Sequence, residues 1–360
     1  AGASLVFLKV FDDLGTPLLL DVNNMLAPQA YLRISSIGIN DPMGYVIGVI
    51  LVLTSVAAVY VAKLALGGKD YSMLQKGGGG MIKRNFLPHQ KYFAYSVVFF
   101  ILFLVLSPHI ALTLLSFGTI WSFSVLPDAY TFNHYKDVFE NSVFIKNTLL
   151  YCSIAAFIDI VLAFFISYIV LRTKIVGRQL LDYVAMSALA IPGLVLGIGY
   201  LRTFYSFNLP WNDKPLASWW FMIVIILAVR RLPYALRACN AVLMQISKYL
   251  EESAESLGAQ KPTIFRKILI PLMMGGLLAG FITSFSTATV ELSATIMLVS
   301  TESDAPLAYA IYSYMQTAAG RGPGAGFGVI GVMIVAAGTY LSQLIIEKKY
   351  KQRGMEAKVD

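Results

Sequence analysis

Charge is scarce in this chain. Of its 360 residues only 13% are Asp, Glu, Lys or Arg, while 57% are hydrophobic. A soluble domain carries about a quarter charged residues, so two soluble domains of this total length could not solvate their surfaces. Disorder, a secreted disulfide scaffold and a cytosolic enzyme are excluded on the same ground. Cysteine is also nearly absent. Cys152 and Cys239 have no CxxC partner and no histidine at ligand spacing, and they read as two small buried residues. His89, His109 and His134 are scattered without metal spacing, so neither a metal site nor a cofactor is expected. No GxxxxGK[ST] occurs, and Gly68-Lys69-Asp70 lacks the hydroxyl that would hold magnesium, so the chain does not bind ATP by that loop. No basic leader precedes the apolar residues that follow Ala1, so a cleavable signal peptide is not expected.

What is present in quantity is uncharged apolar sequence. A bilayer-crossing helix needs about 20 predominantly apolar residues. Pro42–Ala62, the stretch from Lys91 to Asp128, Tyr183–Leu201, Ile268–Val290 and Gly322–Ile346 are free of charge between their ends. Asn147–Leu171 carries one charge, Asp159, and a further span runs from Ala217 to Val229. These make seven whole spans, and Ala1–Val10 reads as the end of an eighth. The expected fold is an all-α polytopic transmembrane bundle.

Orientation follows from Lys and Arg placement. If 66–91 is cytoplasmic, so are 172–181, 237–267 and the tail from Lys348. With Lys63, Arg230 and Arg231 taken as helix-end residues, that side holds 21 of the 28 basic residues. The asymmetry accounts for the formal net charge of +8 without invoking nucleic acid. Embedding in a lipid bilayer is expected instead.

Residues 1–31 align without gaps on 279–309, with nine identities. Ala27-Pro28-Gln29-Ala30-Tyr31 meets Ala305-Pro306-Leu307-Ala308-Tyr309, and Asp13 falls on Glu291. Both copies precede a span running from outside to inside, so the repeats are parallel, related by an axis along the membrane normal. On this reading 1–66 is the C-terminal remnant of a first half and 67–92 a Gly-rich cytoplasmic linker. The second half runs from 93 to 347, and 348–360 is a cytoplasmic tail. The chain reads as the C-terminal part of a longer protein.

The loop 238–270 is the most informative segment. In Ser247–Gly258, Leu250, Ala254 and Leu257 fall at i, i+4 and i+7 and build one apolar helical face. Glu251, Glu252 and Glu255 flank it. Gly258 can supply a left-handed helix end, and Pro262 suits the first turn of a second short helix over 263–270. Here the sequence resembles the permease subunits of binding-protein-dependent ABC importers of the type I fold. Their signature is Glu-Ala-Ala, three residues, Gly, nine residues, then Ile-x-Leu-Pro. This chain has Glu252-Ser253-Ala254, Gly258 and Ile268-Leu269-Ile270-Pro271, with Ser253 and Ile270 departing in side-chain size. The resemblance implies a coupling helix that docks on a separate ATP-binding cassette ATPase. It also implies a solute-binding protein as partner and a multi-pass location in the cytoplasmic membrane of a bacterium. The permease would perform no covalent chemistry.

Asp12-Asp13-Leu14-Gly15-Thr16-Pro17 and Glu291-Leu292-Ser293-Ala294-Thr295 look most similar to the fused two-half ferric-iron permeases. That branch also includes permeases for thiamine, polyamines and aminoethylphosphonate. Three acids are candidates for the solute path. Asp13 and Glu291, at outer helix ends, either attract a cation or brace their loops. If they lie close together, Arg33, Arg321 or a bound cation should bridge them. Asp159, mid-span, must face the bundle, a polar cavity or a partner, or stay protonated. The rival function is a secondary transporter driven by an ion gradient, with Asp159 and Glu291 as proton or cation carriers. The signature loop separates the two, because such a carrier has no ATPase to engage.

Overall fold

The computed structural model describes residues 2–66, 87–119, 121, 124–210 and 212–352. Most of the expected linker, including Gly77–Gly80, and the tail beyond 352 lie outside the described residues. The first segment folds as α1 (Gly2–Phe11), α2 (Gly15–Leu19), α3 (Leu26–Ser36) and α4 (Pro42–Leu66). Then come α5 (Pro88–Phe117), α6 (Asn133–Glu140), α7 (Val143–Arg172), α8 (Arg178–Ser187), α9 (Gly193–Phe204) and α10 (Trp220–Leu243). The short helices α11 (Tyr249–Ser256) and α12 (Lys261–Ile264) lead into α13 (Ile270–Thr289), α14 (Leu307–Met315) and α15 (Arg321–Gln352). Among the described residues the only strands form one ribbon, β1 (Asn208–Leu209) against β2 (Asn212–Pro215).

Among the described residues five helices are long and apolar enough to cross a membrane: Pro42–Val61, Pro88–Phe117, Val143–Arg172, Lys261–Thr289 and Arg321–Ile345. The span expected at 183–201 is broken. α8 ends at Ser187, α9 begins at Gly193, and Ile191-Pro192-Gly193 lies in the gap. Pro192 has no N–H to donate and biases Ile191 away from helix. The expected span at 217–229 is longer than anticipated. α10 continues through Arg230 and Arg231 to Leu243, so these arginines lie roughly 15–20 Å from either helix end rather than at the expected end of the span. The second short helix is also not separate. It passes through a π turn at Phe265–Leu269 straight into α13. Pro271 offers no N–H to the carbonyl one turn earlier, and the wider turn accommodates that gap.

The centre of the molecule is the packing of α7, α10 and α13. Ala155, Ala156, Ile223, Ile226 and Leu227 are buried at one level, and Ala235, Leu236, Cys239 and Met273 at the next. Both cysteines are buried and free. Small residues let α10 and α13 approach closely. A Cβ on Gly276 would stand 2.5 Å from a Val242 methyl and 3.2 Å from the Ala238 carbonyl. On α5 the side chains of the apolar stretch are exposed nearly all round, a surface suited to lipid.

The two ends of the chain share an element order. α1 ends at Phe11 and α13 at Thr289. In both copies a turn, a short helix (α3 or α14) and a long helix (α4 or α15) follow. Ala27, Pro28 and Ala30 are buried, as are Ala305, Pro306 and Ala308. Tyr31 of α3 meets Tyr312 of α14 edge-to-face at 6.3 Å.

Replacing Gly276 with valine should force α10 and α13 apart. The expected loss is about 1–3 kcal/mol, typical of overpacking, read as a lowered midpoint of thermal unfolding in detergent. An unchanged midpoint would show that this contact yields freely.

Candidate functional site: a braced coupling helix and a buried ion-pair cluster

The signature loop builds α11 just after the C-terminal end of α10. Its residues do not share one environment. Glu251 was expected on a solvated flank, but it is 6% exposed and accepts a hydrogen bond from Arg172 Nε at 2.8 Å. The second arm of the Arg172 guanidinium donates to the Leu243 carbonyl at 3.0 Å and the Ile246 carbonyl at 2.5 Å. One side chain at the end of α7 thus ties together the end of α10, the following turn and α11. Ala254 is half-buried against the core, and Glu252 and Ser253 face solvent. Leu257 is 89% exposed. Gly258 has φ +85° and open space where a Cβ would stand, so its requirement is conformational alone. Glu255 pairs with Lys261 across this turn. Ile268 is half-buried against the core, within the π turn, and Pro271 lies in the first turn of α13.

The second site is a cluster of charges at mid-depth. Glu291 is 6% exposed and lies just beyond α13. It accepts hydrogen bonds from Arg230 Nε at 3.2 Å and from Arg231. Arg230 also binds Asp12 Oδ2 at 2.7 Å. Asp12 Oδ1 takes the Gly193 N–H at 2.5 Å, and Arg230 donates to the Ile191 carbonyl at 3.3 Å. The helix break between α8 and α9 is therefore satisfied by this cluster, as irregular backbone inside a membrane must be. Two cations face two anions, each desolvated, and the arrangement holds only while all four are present.

The two repeat copies meet here. Asp13 Oδ1 accepts from the Thr16 N–H at 3.3 Å, and Glu291 Oε1 accepts from the Ala294 N–H at 3.1 Å. Each acid braces its own turn with an i to i+3 bond. The turns touch: Ser293 Oγ donates to the Asp12 carbonyl at 3.2 Å, and Leu292 packs over Gly15. No ion pair, from Arg33, Arg321 or any other base, bridges the aligned acids Asp13 and Glu291 among the described residues; Arg230 instead joins Glu291 to the neighbouring Asp12. Arg33 pairs with Asp41 at 3.6 Å.

Two cavities flank the cluster. One, about 890 Å³, is lined by Asp13, Glu291, Ser293 and Tyr312 among others. The other, about 260 Å³, lies toward the C-terminal half of α10 and is lined by Pro233, Tyr234 and Arg237. Lys9, Asp12, Arg230 and Arg231 line both, so the charges form the wall between them. Asp159 lines neither. It is buried between α7 and α13 and accepts a hydrogen bond from Ser284, the interhelical bond anticipated as one alternative.

Residues 159–352 match the family model described as binding-protein-dependent transport system inner membrane component. The chain belongs to this family. Among curated relatives, the ferric transport system permease protein FbpB of Actinobacillus pleuropneumoniae is 27% identical over 85% of this chain and 44% of its own length. The sulfate transport system permease protein CysT of Salmonella typhimurium is 29% identical over 46% of the chain and 62% of its own length. The molybdenum transport system permease protein ModB of Haemophilus influenzae is 28% identical over 54% and 88%. The chain spans about half the length of the ferric relatives it matches. The fold is similar to a bacterial ABC transporter involved in the import of the acidic polysaccharide alginate. That likeness has a TM-score of 0.55 at 18% identity, covering 71% of this chain and 97% of the other. The type I importer permease fold and the multi-pass membrane character expected from sequence are those of this family.

Within this family frame, sequence reasoning missed Asp12, Arg172 and the true depth of Arg230 and Arg231. A signal was available for the arginines: two adjacent guanidiniums interrupting an apolar helix require buried counter-charges. The cluster carries a measurable coupling. Glu291→Gln should lower stability by about 3–5 kcal/mol by leaving buried guanidinium charge unpaired. The double variant Glu291→Gln/Arg231→Gln should lose less than the sum of the two single variants. Thermal unfolding of the four proteins in detergent closes the cycle, and strict additivity would refute the pairing.

Proposed function

We propose that this chain is the solute-conducting permease part of an ATP-driven importer in the cytoplasmic membrane. A solute-binding protein outside delivers the solute, and ATP-binding cassette subunits inside drive alternating access. Residues 93–347 act as one permease half. Residues 1–66 are the counterpart of its closing portion, joined through the linker 67–92. The path runs where these parts meet, past Asp13 and Glu291. Ferric iron is the first solute to test, because the ferric permeases match over 85% and 83% of this chain while the sulfate and molybdenum permeases match about half.

One observation carries this reading: α11 is held rigidly from behind by Arg172 and presents Leu257 outward, past the ends of the spans. A helix lying on lipid headgroups would offer Lys and Arg beside its apolar residues. This one offers Glu252 and Glu255. An exposed leucine on a braced helix suits a groove in a protein partner. Movement of that partner would pass through Arg172 to α7 and α10. A carrier driven by an ion gradient has no use for such a helix, and Glu291, one of its two required acids, is held between two guanidiniums.

The test is uptake by the assembled system in vesicles, with its ATPase and binding protein. Gly258→Val strains a left-handed position by roughly 1–2 kcal/mol without filling occupied space. It should abolish solute uptake while membrane insertion and the spans' thermal stability stay unchanged. Normal uptake by this variant would sink the assignment of α11 as the coupling helix.

A further inference from the structure

α7 ends at Arg172 and α8 begins at Arg178, and the connection between them is a tight turn. The Arg178 N–H donates to the Ile175 carbonyl at 3.3 Å, and Gly177 has φ 81° and ψ 1°. These are the features of a type II turn, whose third residue needs a positive φ and so favours glycine. Val176, the second residue, is left at the tip and is 99% exposed, with Ile175 exposed beside it. The apolar surface continues along α8, where Leu180, Tyr183 and Val184 follow Val176 at i+4, i+7 and i+8 and are all exposed. On α7, the span that leads into the turn, Phe157, Val161 and Phe165 form an exposed stripe at i, i+4 and i+8. The turn therefore lies between two helices whose outer faces suit lipid.

Two cations accompany the apolar tip. Lys174 is exposed and Arg178 half-buried, and neither has an ion-pair partner among the described residues. The one acid between Arg172 and Ser187 is Asp182, and one of its oxygens is buried away from the surface. Apolar side chains flanked by basic ones are the composition of a segment that lies in the headgroup region of a bilayer. α11 supplies the contrast within the same chain. It exposes Leu257 beside Glu252 and Glu255, which an anionic membrane surface repels.

We propose that the α7–α8 turn is an anchor for anionic phospholipid. Ile175 and Val176 insert at the membrane surface, and Lys174 and Arg178 hold the headgroup phosphate. The occupant is lipid rather than a partner protein, because the tip is both cationic and continuous with the lipid-suited faces of the helices on either side. The anchor also bears on α11. Arg172, four residues before Val176, braces that helix through Glu251. Fixing the turn at the membrane surface fixes the end of α7, and through Arg172 the height at which α11 stands. The inference uses the membrane location of this family and nothing about the solute.

Site-directed fluorescence quenching tests it. Val176→Cys and, as the control, Leu257→Cys are each labelled with an NBD fluorophore, the native Cys152 and Cys239 being buried. Both substituted positions are exposed, so folding is not at stake. The purified proteins are placed in phosphatidylcholine vesicles holding a small fraction of nitroxide-tailed lipid, either phosphatidylcholine or phosphatidylglycerol. The label at 176 should be quenched by both lipids, and more by phosphatidylglycerol, while the label at 257 is quenched by neither. Lys174→Gln should lower the preference for phosphatidylglycerol about fivefold, the share of one basic residue near an anionic headgroup. Lys174→Arg should preserve it, and high salt should weaken it. A turn that stands in water or packs on protein would leave the label at 176 as unquenched as the one at 257. That result overturns the proposal, as does equal quenching by the two lipids or a preference untouched by Lys174→Gln. No ATPase, binding protein or solute takes part, so a negative result here leaves the importer reading to its own uptake test.

Discussion

Everything near the centre of this molecule depends on keeping four charges satisfied away from water. Arg230 and Arg231 stand mid-helix in α10, where an isolated guanidinium would be costly. Glu291 and Asp12 come from the two repeat-related turns, one after α13 and one after α1. Both turns therefore pack against the middle of α10. The same cluster satisfies the Ile191 carbonyl and the Gly193 N–H, which permits the α8–α9 helix to break. One constraint therefore sets the depth of two turns, the position of a helix break and the wall between two cavities.

The arrangement is also the main ionic tie between the first segment and the rest of the described chain. Asp12 reaches across to both α9 and α10. Such a tie is strong while intact and weak once one partner leaves, because what remains is an unpaired buried charge.

At the C-terminal end of α7 another buried arginine serves a different purpose. Arg172 does not separate cavities. It couples the end of α7, two carbonyls after α10 and Glu251 of α11. Any push on α11 is then delivered to long helices rather than absorbed by a loop. The brace from Arg172 explains why adjacent glutamates in α11 differ so much in burial. Glu251 faces the bundle, while Glu252 faces solvent.

The sequence by itself determined the class of fold, and it supplied the expected orientation and the expected coupling loop. Each is written in local quantities: uncharged run length, the sidedness of Lys and Arg, and the spacing from Glu252 to Pro271. The repeat was legible as an expectation too: Ala27-Pro28 and Ala305-Pro306 stand at the amino ends of the short helices α3 and α14, where a shared Ala-Pro pair is not a product of apolar composition. Only the tertiary structure decided which charges meet. Arg230 and Arg231 looked like a helix end because charge runs end most spans, and the rule that places lysine and arginine inside does not measure depth. Asp12 and Asp13 are indistinguishable in sequence, yet one turns into the cluster and the other braces its loop. Glu251 and Glu252 differ only by a 100° rotation about their helix axis, and the partner that selects between them, Arg172, is 79 residues away. Pairings across such distances depend on how whole helices pack, and no local pattern carries that information.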